Sequence, residues 1–147
     1  MRRVILDTNI YIDWINDQHH EDVLFQSDAV AYLSAIVVME LYAGAFTERD
    51  RRLIRKLVAT FARPDRIVVP SERVYQEAGD VLRWLQEREG YDLASTRGLS
   101  NDVLIALSAR AIGAVVITLN DRHFAAVNRV RPFKLNILRP EPARRST

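Results

Sequence analysis

Two aliphatic runs, Val4-Ile5-Leu6 and Val115-Val116-Ile117, each break off into polar residues, and most of the chain between them repeats its apolar side chains at helical spacing. A strand apolar throughout has both faces buried, as in the interior of a parallel sheet covered by helices on either side. The pattern predicts strands near residues 3–6, 29–33, 66–69, 115–119 and 135–138. Helices are expected at 10–16, from Ser34 to Gly44, at 48–62, from Ser71 to about Glu89, at 101–112, and in a short stretch before the last strand. Ser34, Thr47 and Ser71 are suitable N-caps, and Gly44 and Gly113 are natural stops. Strands alternating with helices imply βαβ units. The fold class is therefore α/β, three layers with a mostly parallel central sheet flanked by helices. Residues 1–138 read as one domain, and the proline-broken 139–147 as a disordered tail.

The 147 residues, 48% apolar and 27% charged, suit a globular domain with a real core. No apolar stretch approaches the ~20 residues a bilayer span requires, and no signal-peptide pattern opens the chain, so a cytoplasmic protein without membrane contact is expected. Cysteine is absent, which removes disulfides, thiolate metal sites and cysteine nucleophiles. His19 and His20 lie in a polar stretch and read as solvated loop residues. Of the 21 basic residues only Lys56 and Lys134 are lysines; the rest are arginines. Arginine suits phosphate recognition through its planar fork, although codon bias yields the same composition.

Four carboxylates sit where folding alone would not put them. Asp7 ends the first strand, and Asp121 follows the fourth. Both belong at the carboxyl edge of a parallel sheet, where ligands bind, although an N-cap role explains either residue equally well. Glu40 has Ile36, Val37, Ala43 and Gly44 as its helical neighbours, so it faces the core or a cleft. Its structural alternative is a salt bridge to an arginine. Asp102 shares a face with Ile105, Ala106 and Ala109. The helix dipole favours it by only ~0.3–1 kcal/mol, too little to explain an aspartate on a buried side. Carboxylates ~4 Å apart repel by ~4 kcal/mol at an effective dielectric of ~20. If the four converge, a divalent cation is the natural remedy, and oxygen donors without soft ligands select Mg²⁺ or Mn²⁺. Mg²⁺ favours sharing a phosphate, which points towards phosphodiester chemistry.

In this order, Leu6-Asp7-Thr8-Asn9, Ser34 with Glu40 and Gly44, Asn101-Asp102, and Thr118-Leu-Asn120-Asp121-Arg-His-Phe124 resemble a PIN domain, most closely the VapC-type ribonuclease toxins. The resemblance implies metal-site acids at Asp7, Glu40 and Asp102, with Thr8, Asn9, Ser34, Asn101, Thr118 and Asn120 as supporting polar residues. Many relatives have an aspartate immediately before the phenylalanine, where this chain has His123. Asp121 supplies the fourth carboxylate instead, or the site runs on three acids and water. The implied activity is Mg²⁺-dependent hydrolysis of RNA. The implied partners are a small antitoxin that occludes the site and a second copy in a homodimer. Arg97 and Arg122, read as loop residues near the acidic helix starts, are candidate phosphate clamps or ordinary solvated arginines.

Three rival readings stand beside this one. A DNA nuclease on the same fold is separable from it only by digestion, because 2′-hydroxyl recognition has no short signature. A degenerate domain that binds RNA or protein without cleaving is admitted by His123 and opposed by the three intact acids. A phosphotransfer domain would need a lysine at the site, and neither Lys56 nor Lys134 is well placed.

Overall fold

The computed structural model describes residues 1–139, apart from the Asp121 side chain. Its five strands, β1 (Arg2–Leu6), β2 (Ala29–Ser34), β3 (Ile67–Val68), β4 (Val115–Thr118) and β5 (Leu135–Ile137), form one sheet in the order β3-β2-β1-β4-β5. All the pairings are parallel, so the sheet is wholly rather than mostly parallel. Helices α1 (Thr8–Asp17), α2 (Glu21–Leu24), α3 (Ala35–Ala43) and α4 (Glu48–Ala62) lie in the connections that step outward from β1 to β3. Helices α5 (Glu72–Glu89), α6 (Leu99–Ala111) and α7 (Asp121–Val130) lie in those that cross back and lead to β5. Right-handed crossovers put the two groups on opposite faces, which makes three layers.

Val4, Ile5, Leu6, Val116 and Ile117 are at most 2% exposed, so β1 and β4 are buried on both faces. That is why neither shows polar alternation. Each such side chain contributes ~1.5–3 kcal/mol of transfer free energy.

The sheet order reverses between β1 and β4. Connections leaving in opposite directions there open a crevice beyond the carboxyl ends of the strands. Leu6 pairs with Ile117, and the Asp7 N–H donates to the Ile117 carbonyl at 2.9 Å. Asp7 and Thr118 therefore emerge side by side at that crevice.

Two helices start about two residues earlier than their apolar spacing suggests. Asp7 is itself the N-cap of α1, so α1 begins at Thr8. Gly98, left-handed at φ 78°, lets α6 begin at Leu99, with Asp102 in its first turn as expected. The supposed loop before β2 contains α2. His20 is not solvated: its ring is buried, with Nε2 3.0 Å from Asp13 Oδ2 on α1. The polar sequence around it hides a ring folded back against the preceding helix. Among the described residues no helix is long and apolar enough to cross a membrane. All of the proposed tail except Arg139 lies outside the described residues.

Candidate metal centre

Asp7, Glu40 and Asp102 come from β1's end, α3 and α6, and meet at the switch-point crevice. Asp7 is only 4% exposed, and both its oxygens are engaged. Oδ1 accepts the Thr8 N–H at 2.8 Å, and Oδ2 accepts the Thr118 hydroxyl at 2.7 Å. Thr118 Oγ1 in turn accepts the Asn120 N–H at 2.9 Å and, more weakly, the Asn9 amide at 3.5 Å. Burial pushes the Asp7 carboxyl above its ordinary range. The bonds from Thr118 and Thr8 oppose that shift, while the charge of Glu40 adds to it.

Glu40 is half-buried beside α1 and α6. Thr8 donates its hydroxyl to Oε1 at 2.7 Å, and Asn101 reaches Oε2 at 3.5 Å. Among the described residues no arginine or lysine pairs with Glu40, so the salt-bridge alternative gains no support.

Asp102 is 7% exposed. Its Oδ2 lies 2.7 Å from His123 Nδ1 and accepts the Asn120 amide at 3.3 Å. Burial, then the charges of Asp7 and Glu40, push this carboxyl up to about 8. Burial and the nearby Arg122 guanidinium move His123 the other way, downward. Both shifts favour a neutral contact, a protonated carboxyl donating to an imidazole nitrogen.

The structure thus brings together Asp7, Glu40 and Asp102 with Thr8, Asn9, Asn101, Thr118 and Asn120. Ser34 is fully buried and caps α3, accepting the Ile36 N–H at 3.1 Å. The Asp121 side chain lies outside the described residues. Arg122 is on the first turn of α7 rather than in a loop, whereas Arg97 does lie in one; both line a polar groove with His123. Sequence reasoning missed Tyr91, whose ring meets His123 edge-on at 6.2 Å. No local signal marks a tyrosine in a connecting loop as part of a site.

Among the described residues no three acidic or histidine side chains are arranged as a ready-made cage for an ion. Each acid is instead turned towards neutral donors. The donor chemistry still fits a hard divalent cation. The charge of Glu40 raises the proton affinity of Asp7, the charges of Asp7 and Glu40 raise that of Asp102, and a bound cation would relieve that repulsion.

Comparison with known proteins bears on the fold and the family. In the solved structures, a VapBC-1 complex from nontypeable Haemophilus influenzae matches at 26% identity and TM-score 0.66, over 92% of this chain and 97% of that one. VapBC2 from Rickettsia felis, bound to a DNA fragment from the promoter, matches at 25% identity and TM-score 0.65, over 92% and 98%. VapBC-5 from Mycobacterium tuberculosis, at 21% identity and TM-score 0.64 over 95% and 100%, shares the fold. No curated relative matches the sequence. The PIN domain family model matches residues 4–130, from the first strand of the sheet to the end of α7. This chain belongs to the PIN domain family.

Proposed function

We propose that the chain is a VapC-type toxin, an endoribonuclease that hydrolyses RNA phosphodiester bonds with a divalent metal ion, Mg²⁺ or Mn²⁺. One observation carries the reading: Asp7, Glu40 and Asp102 are brought from three separate elements to one crevice, and among the described residues no arginine or lysine pairs with them, the one basic neighbour being His123 at Asp102. A stabilising network would pair buried acids with arginines; a cation site leaves them available.

Asp7, Glu40 and Asp102 would hold the ion, and Asp121 is proposed to complete the set. The ion, when bound, would activate water and neutralise charge developing on the phosphate. The chain's own residues prepare for that. Thr118 and the Thr8 N–H fix both oxygens of Asp7, and the Thr8 hydroxyl orients Glu40. Asn120 and His123 hold Asp102. Arg97 and Arg122, at the groove beside His123, are placed to grip substrate phosphates.

The VapBC structures among the structural neighbours support a cognate antitoxin as partner, and a homodimer is proposed with it. The contact between His123 and Asp102 favours one alternative, a degenerate domain that binds without cleaving. Incubating the protein with single-stranded RNA and DNA, with Mg²⁺ or with chelator, distinguishes the readings. RNA cleavage that requires the ion and disappears in Asp7→Asn is expected. Cleavage of DNA alone would select the DNA nuclease, and cleavage unchanged in Asp7→Asn would sink the metal-site model.

A further inference from the structure

The carboxylate crevice does not stand alone. The adjoining groove, about 690 Å³, is lined by Tyr91, Thr96, Arg97, Arg122 and His123, so it opens on the side chain that touches Asp102. A second hollow, about 400 Å³, is lined by Val81, Trp84, Arg88, Val130 and Arg131. Glu89 and Arg129 line both, so the two hollows meet at that ion pair, whose bonds are 2.7 and 3.0 Å.

Charge along this path is lopsided. Five arginines, at 88, 97, 122, 129 and 131, face two acids, Glu89 and Asp92. Arg129 neutralises Glu89, and the Asp92 carboxylate accepts the Ala94 N–H at 3.0 Å. Among the described residues the guanidinium groups of Arg97, Arg122 and Arg131 make no ion pair. Arg131 Nε is buried without a hydrogen-bond partner there. The Arg88 guanidinium lies over the Trp84 ring at 3.9 Å, and Trp84 is 40% exposed.

From these features we infer that the two hollows form one track for single-stranded RNA, leading away from the acidic crevice along the seam between α5 and α7. The inference rests on the nuclease reading and extends it to where the rest of the substrate lies. Guanidinium forks suit successive backbone phosphates, and the Trp84–Arg88 stack offers a flat face to an unpaired base. A duplex would keep its bases from that face. A peptide of Asp and Glu alone would satisfy the arginines but has no ring to place on the stack.

Binding is measured by fluorescence anisotropy with labelled single-stranded RNAs roughly 4 and roughly 12 nucleotides long, lengths that span usual single-strand site sizes. Both Asp7→Asn protein and wild-type protein in chelator are used, so the test does not depend on one variant or on cleavage. The longer RNA is expected to bind at least about ten-fold more tightly, as one added stacked base can supply. Trp84→Ala and Arg88→Glu, exposed changes whose folding circular dichroism checks, should each erase most of that advantage. Removing a phosphate contact with Arg131→Ala should reduce the slope of log affinity against log salt by about 0.7. Equal affinity for the two lengths, or an advantage untouched by both Trp84→Ala and Arg88→Glu, overturns the track. So does a polyglutamate peptide that displaces the longer RNA at equal charge concentration. A length advantage in a protein that never cleaves RNA would remove the nuclease reading and leave the track standing; cleavage without the advantage would do the reverse.

Discussion

The two aspartates of the crevice are equally hidden but differently supported. Asp7 sits at the end of β1, where the backbone is fixed by sheet pairing, and receives two short hydrogen bonds that favour its charged form. Asp102 sits on α6, meets His123 and a longer bond from Asn120, and burial with the charges of Asp7 and Glu40 outweighs that bond and raises its proton affinity. The strand end supplies prepaid electrostatic support; the helix start supplies less of it. Asp7 is therefore the fixed corner of the proposed site and Asp102 the responsive one.

The largest test of that contrast is removal of the fixed charge. Asp7→Asn is expected to lower RNA cleavage by about 10²–10³-fold or more, the loss typical of removing one preorganised electrostatic contact. The metal-free variant should melt no lower than the wild type, because a buried charge disappears while the amide oxygen still accepts the Thr8 N–H. Differential scanning calorimetry in chelator checks the second half, and a marked drop in melting temperature would show Asp7 to be a structural residue first.

Thr118→Val probes the support itself. The valine keeps the shape but removes the hydroxyl that donates to Asp7 and accepts the Asn120 N–H. Leaving those buried groups unpaired costs ~1–3 kcal/mol, measurable by denaturant unfolding. Asp7 should also become harder to ionise, so the pH at which cleavage begins should move upward. A neutral outcome in both measurements would mean that the strand end is not the better-supported half.

The responsive corner shows itself in pH. Asp102 ionises near the ordinary aspartate value of 3.8 in the unfolded chain and is pushed up to about 8 in the folded one. Its raised value makes the folded state bind a proton the unfolded state has lost. The stability this contributes is fully present below pH ~4 and is lost as pH rises towards about 8. Metal-free protein should thus melt lower at pH 8 than at pH 6, and Mg²⁺ should raise the melting temperature more at pH 8. An equal Mg²⁺ effect at both values would separate Asp102 from the ion.

How much of this was readable from the chain follows the same division. The strand runs before Asp7 and Thr118 were legible because two-sided burial writes an unbroken aliphatic run, and parallel pairing then puts their ends together. Glu40 stood out because its helical neighbours are apolar. His123 was visible only as a departure from the family pattern: nothing in Asp-Arg-His-Phe announces that its ring reaches Asp102, a contact made by packing α7 on α6. Tyr91 and the folded-back His20 were likewise invisible, since loop path decides where they lie.

The smallest effect is expected at Asn101, between the two halves. Its amide reaches Glu40 at 3.5 Å, the long end of hydrogen bonding, and Thr8 already holds that carboxylate at 2.7 Å. Losing so long a bond costs no more than ~0.5 kcal/mol, the low end for a hydrogen bond, or about two-fold in rate. Thr8→Val should cost several times more, since it removes the short bond. If single-turnover cleavage instead falls more than about ten-fold in Asn101→Ala, with Thr8→Val milder, the amide must act on the substrate rather than on Glu40. The carboxylate on α3 would then be held chiefly by the ion, and its position would belong with Asp102 in the responsive half of the site.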